Sequence, residues 1–300
     1  MTAGTHAVNV SVWDEAWNTD FCTVNLQIND NDTGGNSRPI IAGKVETPLN
    51  LPVNGVNVVF TSDKPESPMT VVTGVSGTYS DDAETGITYD ITANKGGDYL
   101  NGVTTFDLVL IQRHILGIQP LTNPYLLIAA DADNNGVVSV NDLSELRKLI
   151  LGVYTELPSN ESWRFPVASQ TMDATHPFPY VETITVANHS QAMSNQDFVA
   201  VKIGDVNGNA DASANNPVES RTAKKVGLAV ADQALVAGET VRIPVTASNY
   251  NEIFGYQFTM GMRGAEFVDV ESGALSMSAS NVGVFADKLT MSMQAKKQQQ

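Results

Sequence analysis

Residues 131–142 read DADNNGVVSVND, with three aspartates crowded around Gly136. Carboxylates at that density repel one another unless a cation lies among them. The spacing follows the loop pattern D-x-[DN]-x-[DN]-G-x5-E, with Asp142 standing where the pattern has glutamate. The spacing has a physical cause. Alternate positions Asp131, Asp133 and Asn135 turn their oxygens inward, Gly136 makes the sharp bend, and the chain then offers the Val137 carbonyl. Ser139 binds directly or through a water, and Asp142, in the first turn of a following helix, closes the shell. Hard oxygen donors in that number suit Ca2+; magnesium demands tighter octahedral geometry, and zinc prefers nitrogen or sulfur. An ordinary turn with solvated charges is the alternative. The six ligand positions, the glycine and the amphipathic helix that follows all favour the cation.

Outward from this loop the chain repeats itself. SVNDLSELRKLILG (139–152) places Leu143, Leu146 and Ile150 on one helical face, and TTFDLVLIQRHILG (104–117) does the same with Leu108, Ile111 and Ile115. The two align without gaps from Asp107 on Asp142 to Ile118 on Val153. Thr104 or Thr105 is available to cap the earlier helix. Between them, TNPYLLIAA offers Asn123 as a cap and Pro124 at the first helical position, so a short helix leads into the acidic loop.

The earlier repeat has a damaged loop. KGGDYLNGVTTFD puts Gly102 one residue closer to Asp107 than Gly136 is to Asp142, and no acid fills its first ligand position. A Gly102 or Val103 carbonyl, Thr104 and Asp107 remain. Far downstream, DVNGN supplies the complementary half, Asp205, Asn207 and Asn209, with no closing acid. The expectation is that the halves meet in a split second calcium site of Thr104, Asp107, Asp205, Asn207 and Asn209; the alternative for DVNGN is a solvated turn.

A calcium loop running straight into a helix, repeated about 35 residues away and ending in ILG, resembles the type I dockerin, a duplicated half-EF-hand. KIGDVNGNA at 202–210 is similar to the GDVNG phrase of that family. The resemblance implies a secreted or cell-surface bacterial modular protein. Dockerins read a cohesin partner through small hydroxyl-rich positions before the closing acid, and here those are Thr105 and Phe106, and Val140 and Asn141. An internal role, with the helical module packed on its neighbours and stiffened by calcium, therefore fits better than a cohesin bound in trans.

The flanks read as β-structure. IIAGKV, GVNVVFTS, MTVVTG, GTYSDD and ITYDITAN, within 39–94, alternate between glycine and proline punctuation. They resemble the prealbumin-like sandwiches of carboxypeptidase-regulatory or Cna-B type. VGLAVAD, ETVRIPVTAS, FGYQFTMGM, EFVDVES and KLTMSM, after Val226, are similar to a cohesin-like sandwich. HAVNVSVWD and FCTVNLQIND form one hairpin, and a lone hairpin is marginal in water. The expected fold class is thus multidomain and mainly β: antiparallel sandwiches with one small helical module. Its parts are 1–33, the hairpin of an incomplete Ig-like sandwich; 38–95, the prealbumin-like sandwich; 96–211, the dockerin-like module with a β insertion; 212–225, a linker; and 226–300, a cohesin-like sandwich cut short. Within the insertion, SNQDFVAVKIG suggests a one-to-two-turn helix capped by Ser194, with Asp197 three residues on.

The formal charge of −16, from 33 acidic and 17 basic residues, argues against nucleic acid as a partner. No apolar run is long enough to span a bilayer. The one cysteine, Cys22, is either a small core residue or half of a disulfide to a segment upstream. His6, His114, His176 and His189 stand apart, and no GxSxG, HExxH, P-loop or GxGxxG is found. Acid pairs such as Asp81 with Asp82 read as solvated. Trp13, Trp17 and Trp163 either stack on a sugar or pack in cores. The function expected is non-catalytic: a calcium-binding structural or adhesive segment whose partners are modules of its own chain, neighbouring copies, a cohesin-like domain or a surface polysaccharide. The rival is an assembly part of a polysaccharide-degrading enzyme or its scaffold.

Overall fold

The computed structural model describes residues 38–65, 67–213, 227–234, 236–248, 255–274 and 276–294, together with the backbone of two strands near the N-terminus. Among the described residues the protein is mainly β, with several antiparallel sheets and three short α-helices. Those two strands, β1 (Gly4–Trp13) and β2 (Thr19–Ile28), pair antiparallel in one hairpin. Cys22 lies in the second, and Trp17 falls outside the described residues.

Strands β3 (Ile40–Glu46), β4 (Asn57–Thr61), β5 (Met69–Val72), β6 (Thr78–Asp82) and β7 (Tyr89–Asn94) follow the alternation of the sequence. Every second side chain turns inward, as in Val58 and Phe60 of β4 and Tyr89 and Ile91 of β7. Three helices come next: α1 (Thr105–Ile115), α2 (Pro124–Ala130) and α3 (Val140–Ile150). Their starts lie where the sequence puts caps. Thr104 accepts from the Phe106 amide, Asn123 from Tyr125 and Ser139 from Asn141. In α1 and α3 the aspartate three residues on returns the bond to the cap, completing a capping box. In α3 the innermost apolar residues are Leu143, Leu146 and Leu149, with Ile150 only partly covered.

After the helices come β8 (Trp163–Arg164), β9 (Thr183–Val186), β10 (Phe198–Val199) and β11 (Val201–Lys202). The sequence groups this stretch with the helical module; β8 and β11 pair with each other, while β9 and β10 join the earlier sheets. β9 extends the sheet β5-β4-β7-β9, and β10 runs parallel to β3 in the sheet β10-β3-β6. One core holds Ile41, Phe60, Ile91, Phe165, Ile184 and Phe198 together. Trp163 is buried in it, so this indole packs rather than offering a platform to a sugar.

The short helix expected from Ser194 is absent, and two two-residue strands occupy its place. Phe198 and Ala200 point into the first core, while Val201 and Ile203 point into the helical core with Leu108, Ile128 and Leu146. A segment that alternates between two cores needs a period of two, and Val199, Val201 and Ile203 favour extended backbone. Asp197 accepts from the Lys44 amide across β3, and does not serve a helix cap.

The C-terminal region forms two further sheets. β12 (Gly227–Val230) pairs with β13 (Val245–Ser248), and β14 (Gly255–Gly261), β15 (Val282–Val284) and β16 (Lys288–Gln294) pair in the order β14-β16-β15. EFVDVES, expected as a strand, joins no ladder; Phe267 and Val270 pack as irregular chain against Val282, Leu289 and Met291. Apolar alternation there reports partial burial without a partner strand.

Candidate metal centre

α2 ends at Asp131, and the acidic loop begins in the same turn. Asp131 is 2% exposed and Asp142 is fully buried, while Asp133 is half-buried at the rim. Carboxylate oxygens of the three lie within 4.8 Å of one another. Backbone amides hold them there. Asp131 accepts from the amides of Asn135 at 3.0 Å and Gly136 at 3.0 Å. Asp142 accepts from the Asp133 amide at 3.1 Å and the Ser139 amide at 2.8 Å. Asn134 and Gly136 take positive φ, 56° and 81°, which wraps the loop. The Asn135 carboxamide oxygen accepts from Val137 at 2.8 Å. Asn160, itself buried, donates at 2.8 Å to the Asp131 carbonyl and anchors the loop start from a distant segment. Nothing in the sequence singles Asn160 out.

Burial dominates the electrostatics. It pushes the Asp131 carboxyl up to about 6, against the lowering by the Gly136 and Asn135 amides, and the charges of Asp142 and Asp133 push it further. Asp142 is also raised, first by burial. Charged oxygens crowded and partly desolvated in this way are offset most directly by a bound cation.

Asp107, Asp205, Asn207 and Asn209 come together at a second place, although about 100 residues of chain separate the two halves. Asp107 is fully buried. Its Oδ2 accepts from the Thr104 amide at 2.9 Å and the Thr104 hydroxyl at 2.8 Å. Its Oδ1 accepts from the amides of Val206 at 3.1 Å and Asn207 at 3.3 Å, and from the Asn207 carboxamide at 2.9 Å. Asp205 accepts from Gly208 at 2.8 Å, Asn209 at 3.3 Å and Ala210 at 2.8 Å.

This is the bonding scheme of the first loop in a different chain order. The first-position aspartate accepts from the amides four and five residues on, 135 and 136 or 209 and 210. The closing aspartate accepts from the third-position amide, 133 or 207, and from its own helix cap, Ser139 or Thr104. Gly102 makes the junction tight: its φ is 72°, and a Cβ there would lie 2.7 Å from the backbone of Ala210. Asn101 and Asp211 exchange two hydrogen bonds of 2.8 Å beside it. Burial, then the Asp205 charge, pushes the Asp107 carboxyl up to about 6, and burial raises Asp205.

Lys202 is a nearby group that the motifs did not signal. It is 4% exposed and donates to the carbonyls of Tyr99 and Ile203, each at 3.0 Å. Burial pulls its ammonium down to about 8, while the Asp205, Asp98 and Asp107 charges act to raise it. Of the histidines, His114 accepts from the Leu121 amide at 3.1 Å, and His189 is buried against Tyr89 with its Nε2 2.9 Å from the Pro39 carbonyl. Among the described residues no helix is long and apolar enough to cross a membrane. Comparison with family models, with curated proteins and with solved structures gave no match to this chain.

Proposed function

We propose that the chain is a non-catalytic, calcium-binding structural or adhesive segment of a secreted or cell-surface modular protein, in which Ca2+ fixes how a small helical module joins its β-rich neighbours. The finer architecture in this reading is a prealbumin-like sandwich, a dockerin-like module and a cohesin-like sandwich in series. The observation that carries it is the convergence of Asp131, Asp133 and Asp142, two of them buried, on one point at the start of α3. Ligands of a first cation are Asp131, Asp133, Asn135, the Val137 carbonyl, Ser139 and Asp142. Those of a second are Thr104, Asp107, Asp205, Asn207 and Asn209. An all-oxygen set at EF-hand spacing favours calcium over softer metals.

A site with a dissociation constant near 10⁻⁴ M would be mostly filled at about millimolar calcium, and would stabilise the fold by about 1.4 kcal/mol. Calorimetric titration of the chelator-stripped protein tests this. Calcium should bind with release of protons and magnesium more weakly, while Asp131→Ala should abolish the stronger event. A flat calcium titration of folded protein would end the reading.

A further inference from the structure

A cavity of about 160 Å³ lies between the two cores, walled by the loop 47–51, α2 and the segment 200–210. Trp163 and Ala200 reach it from the first core, and Ala129, Val201 and Val206 from the helical core. Leu49 and Leu51 line it and are 59% and 46% exposed, so the cavity opens to solvent beside them. Three polar groups on its walls are engaged already. The Thr47 hydroxyl accepts from the amides of Leu49 and Leu51, the Lys202 ammonium donates to the Tyr99 and Ile203 carbonyls, and the Asp205 carboxylate accepts from three amides. The Trp163 indole differs: its N–H is buried and has no hydrogen-bond partner among the described residues. Buried donors are almost always paired, because an unmade bond costs the full desolvation of the group.

We propose that this cavity binds a small neutral molecule, of the size of a benzene ring, whose acceptor oxygen takes the hydrogen bond that the Trp163 indole lacks. Volume sets the size: an apolar cavity of about 150 Å³ holds one benzene ring and otherwise stays dry. Neutrality follows from the walls. Their charged groups, Lys202 and Asp205, are already engaged, and a charged ligand would be buried without a counterion. The polar atom of the ligand must accept, since the open position on the wall is a donor. Apolar contact with Leu49, Leu126, Ala129 and Val206 then holds the ring, the division between an apolar lining and a few placed polar groups that small-molecule sites use. A ligand that touches both cores binds only while they stay packed together, so it stabilises their junction by mass action. The cavity shares Asp205 and Asn207 with the second cation centre, yet the inference goes beyond the cation reading and stands whether or not a metal binds.

The test uses the full chain carrying Trp13→Phe and Trp17→Phe, which leaves Trp163 as the one indole. In proton–nitrogen correlation spectra, titration with cyclohexanone should move the indole N–H resonance downfield, as a newly formed hydrogen bond does, and saturate with a midpoint of about 1 mM or below. Methylenecyclohexane has the same shape and no oxygen. It should compete for the cavity without moving that resonance downfield. In the Ala129→Leu variant, whose larger side chain fills the cavity, cyclohexanone should no longer move the resonance. Should Ala129→Leu fail to fold, the comparison of the two probes still decides. No saturable movement with cyclohexanone, the same downfield shift from both probes, or a folded Ala129→Leu protein that responds as before would overturn the proposal.

Discussion

The loop at 131–142 and the junction of 107 with 205–209 use the same hydrogen bonds, yet one is a continuous stretch and the other is assembled from two distant ones. In the first, the closing aspartate follows the first ligand along the chain; in the second it precedes it, with α1, α2, α3 and four short strands in between. The bonding pattern is thus a property of local geometry, and chain continuity is incidental to it. What continuity changes is the energetic consequence. The first loop organises only its own neighbourhood, whereas the second ties the ends of a long excursion together.

Removing the closing residues should separate the two most clearly. Asp107→Ala leaves the amides of Val206 and Asn207 buried without their acceptor. It should cost about 3 kcal/mol, or roughly 6–12 °C in melting temperature. Asp142→Ala should cost about half as much, since its loop stays joined through the chain. Equal losses in calcium would erase the distinction drawn between continuous and assembled.

Chelation comes next in size. It should lower the melting temperature of the unsubstituted protein by about 3–6 °C, and Asp131→Ala should remove most of that response. Two affinities are also expected, because the first centre gathers three carboxylates and the second only two, with the Lys202 ammonium nearby. Asn207→Asp, which gives the second centre the charge that Asp133 gives the first, should tighten its calcium binding by about tenfold. Calorimetry that shows the weaker event unmoved would place that event elsewhere.

The smallest effect concerns pH in the chelated protein. Burial pushes both Asp107 and Asp131 to about 6, above the value of about 3.9 in an unfolded chain. The stability these groups contribute is therefore complete below about pH 4 and is lost as pH rises through about 6. Without metal, the protein should melt higher at about pH 5 than at about pH 7.5. Excess calcium, which binds the charged forms, should shrink or reverse that difference, and a chelated melt that rises with pH would contradict it.

How much of this the sequence made legible follows from how local each signal is. Caps at Thr104, Asn123 and Ser139 act on amides two or three residues away, so their helices could be placed. The acidic loop was legible for the same reason. The meeting of Asp107 with Asp205 could be expected only because each half lacked what the other had. Longer-range features left no such trace. Phe198 to Ile203 passes from one core to the other, and its expected helix fails because neighbours far away in sequence set the period. β9 and β10 join sheets begun before the helices, a pairing that alternation alone does not assign. The burial of Thr105 against Ser292 depends on a contact between residues far apart in the chain.

The Asp107–Asn207 junction has a mechanical consequence. If the chain is pulled from both ends, force entering before α1 and leaving after Ala210 passes across that junction and largely bypasses residues 108–204. While it holds, those residues carry little load. When it gives way the load passes to the pairing of β9 with β7 and of β10 with β3 and to the two cores that this stretch enters, so residues 108–204 are released only after those ties have failed as well.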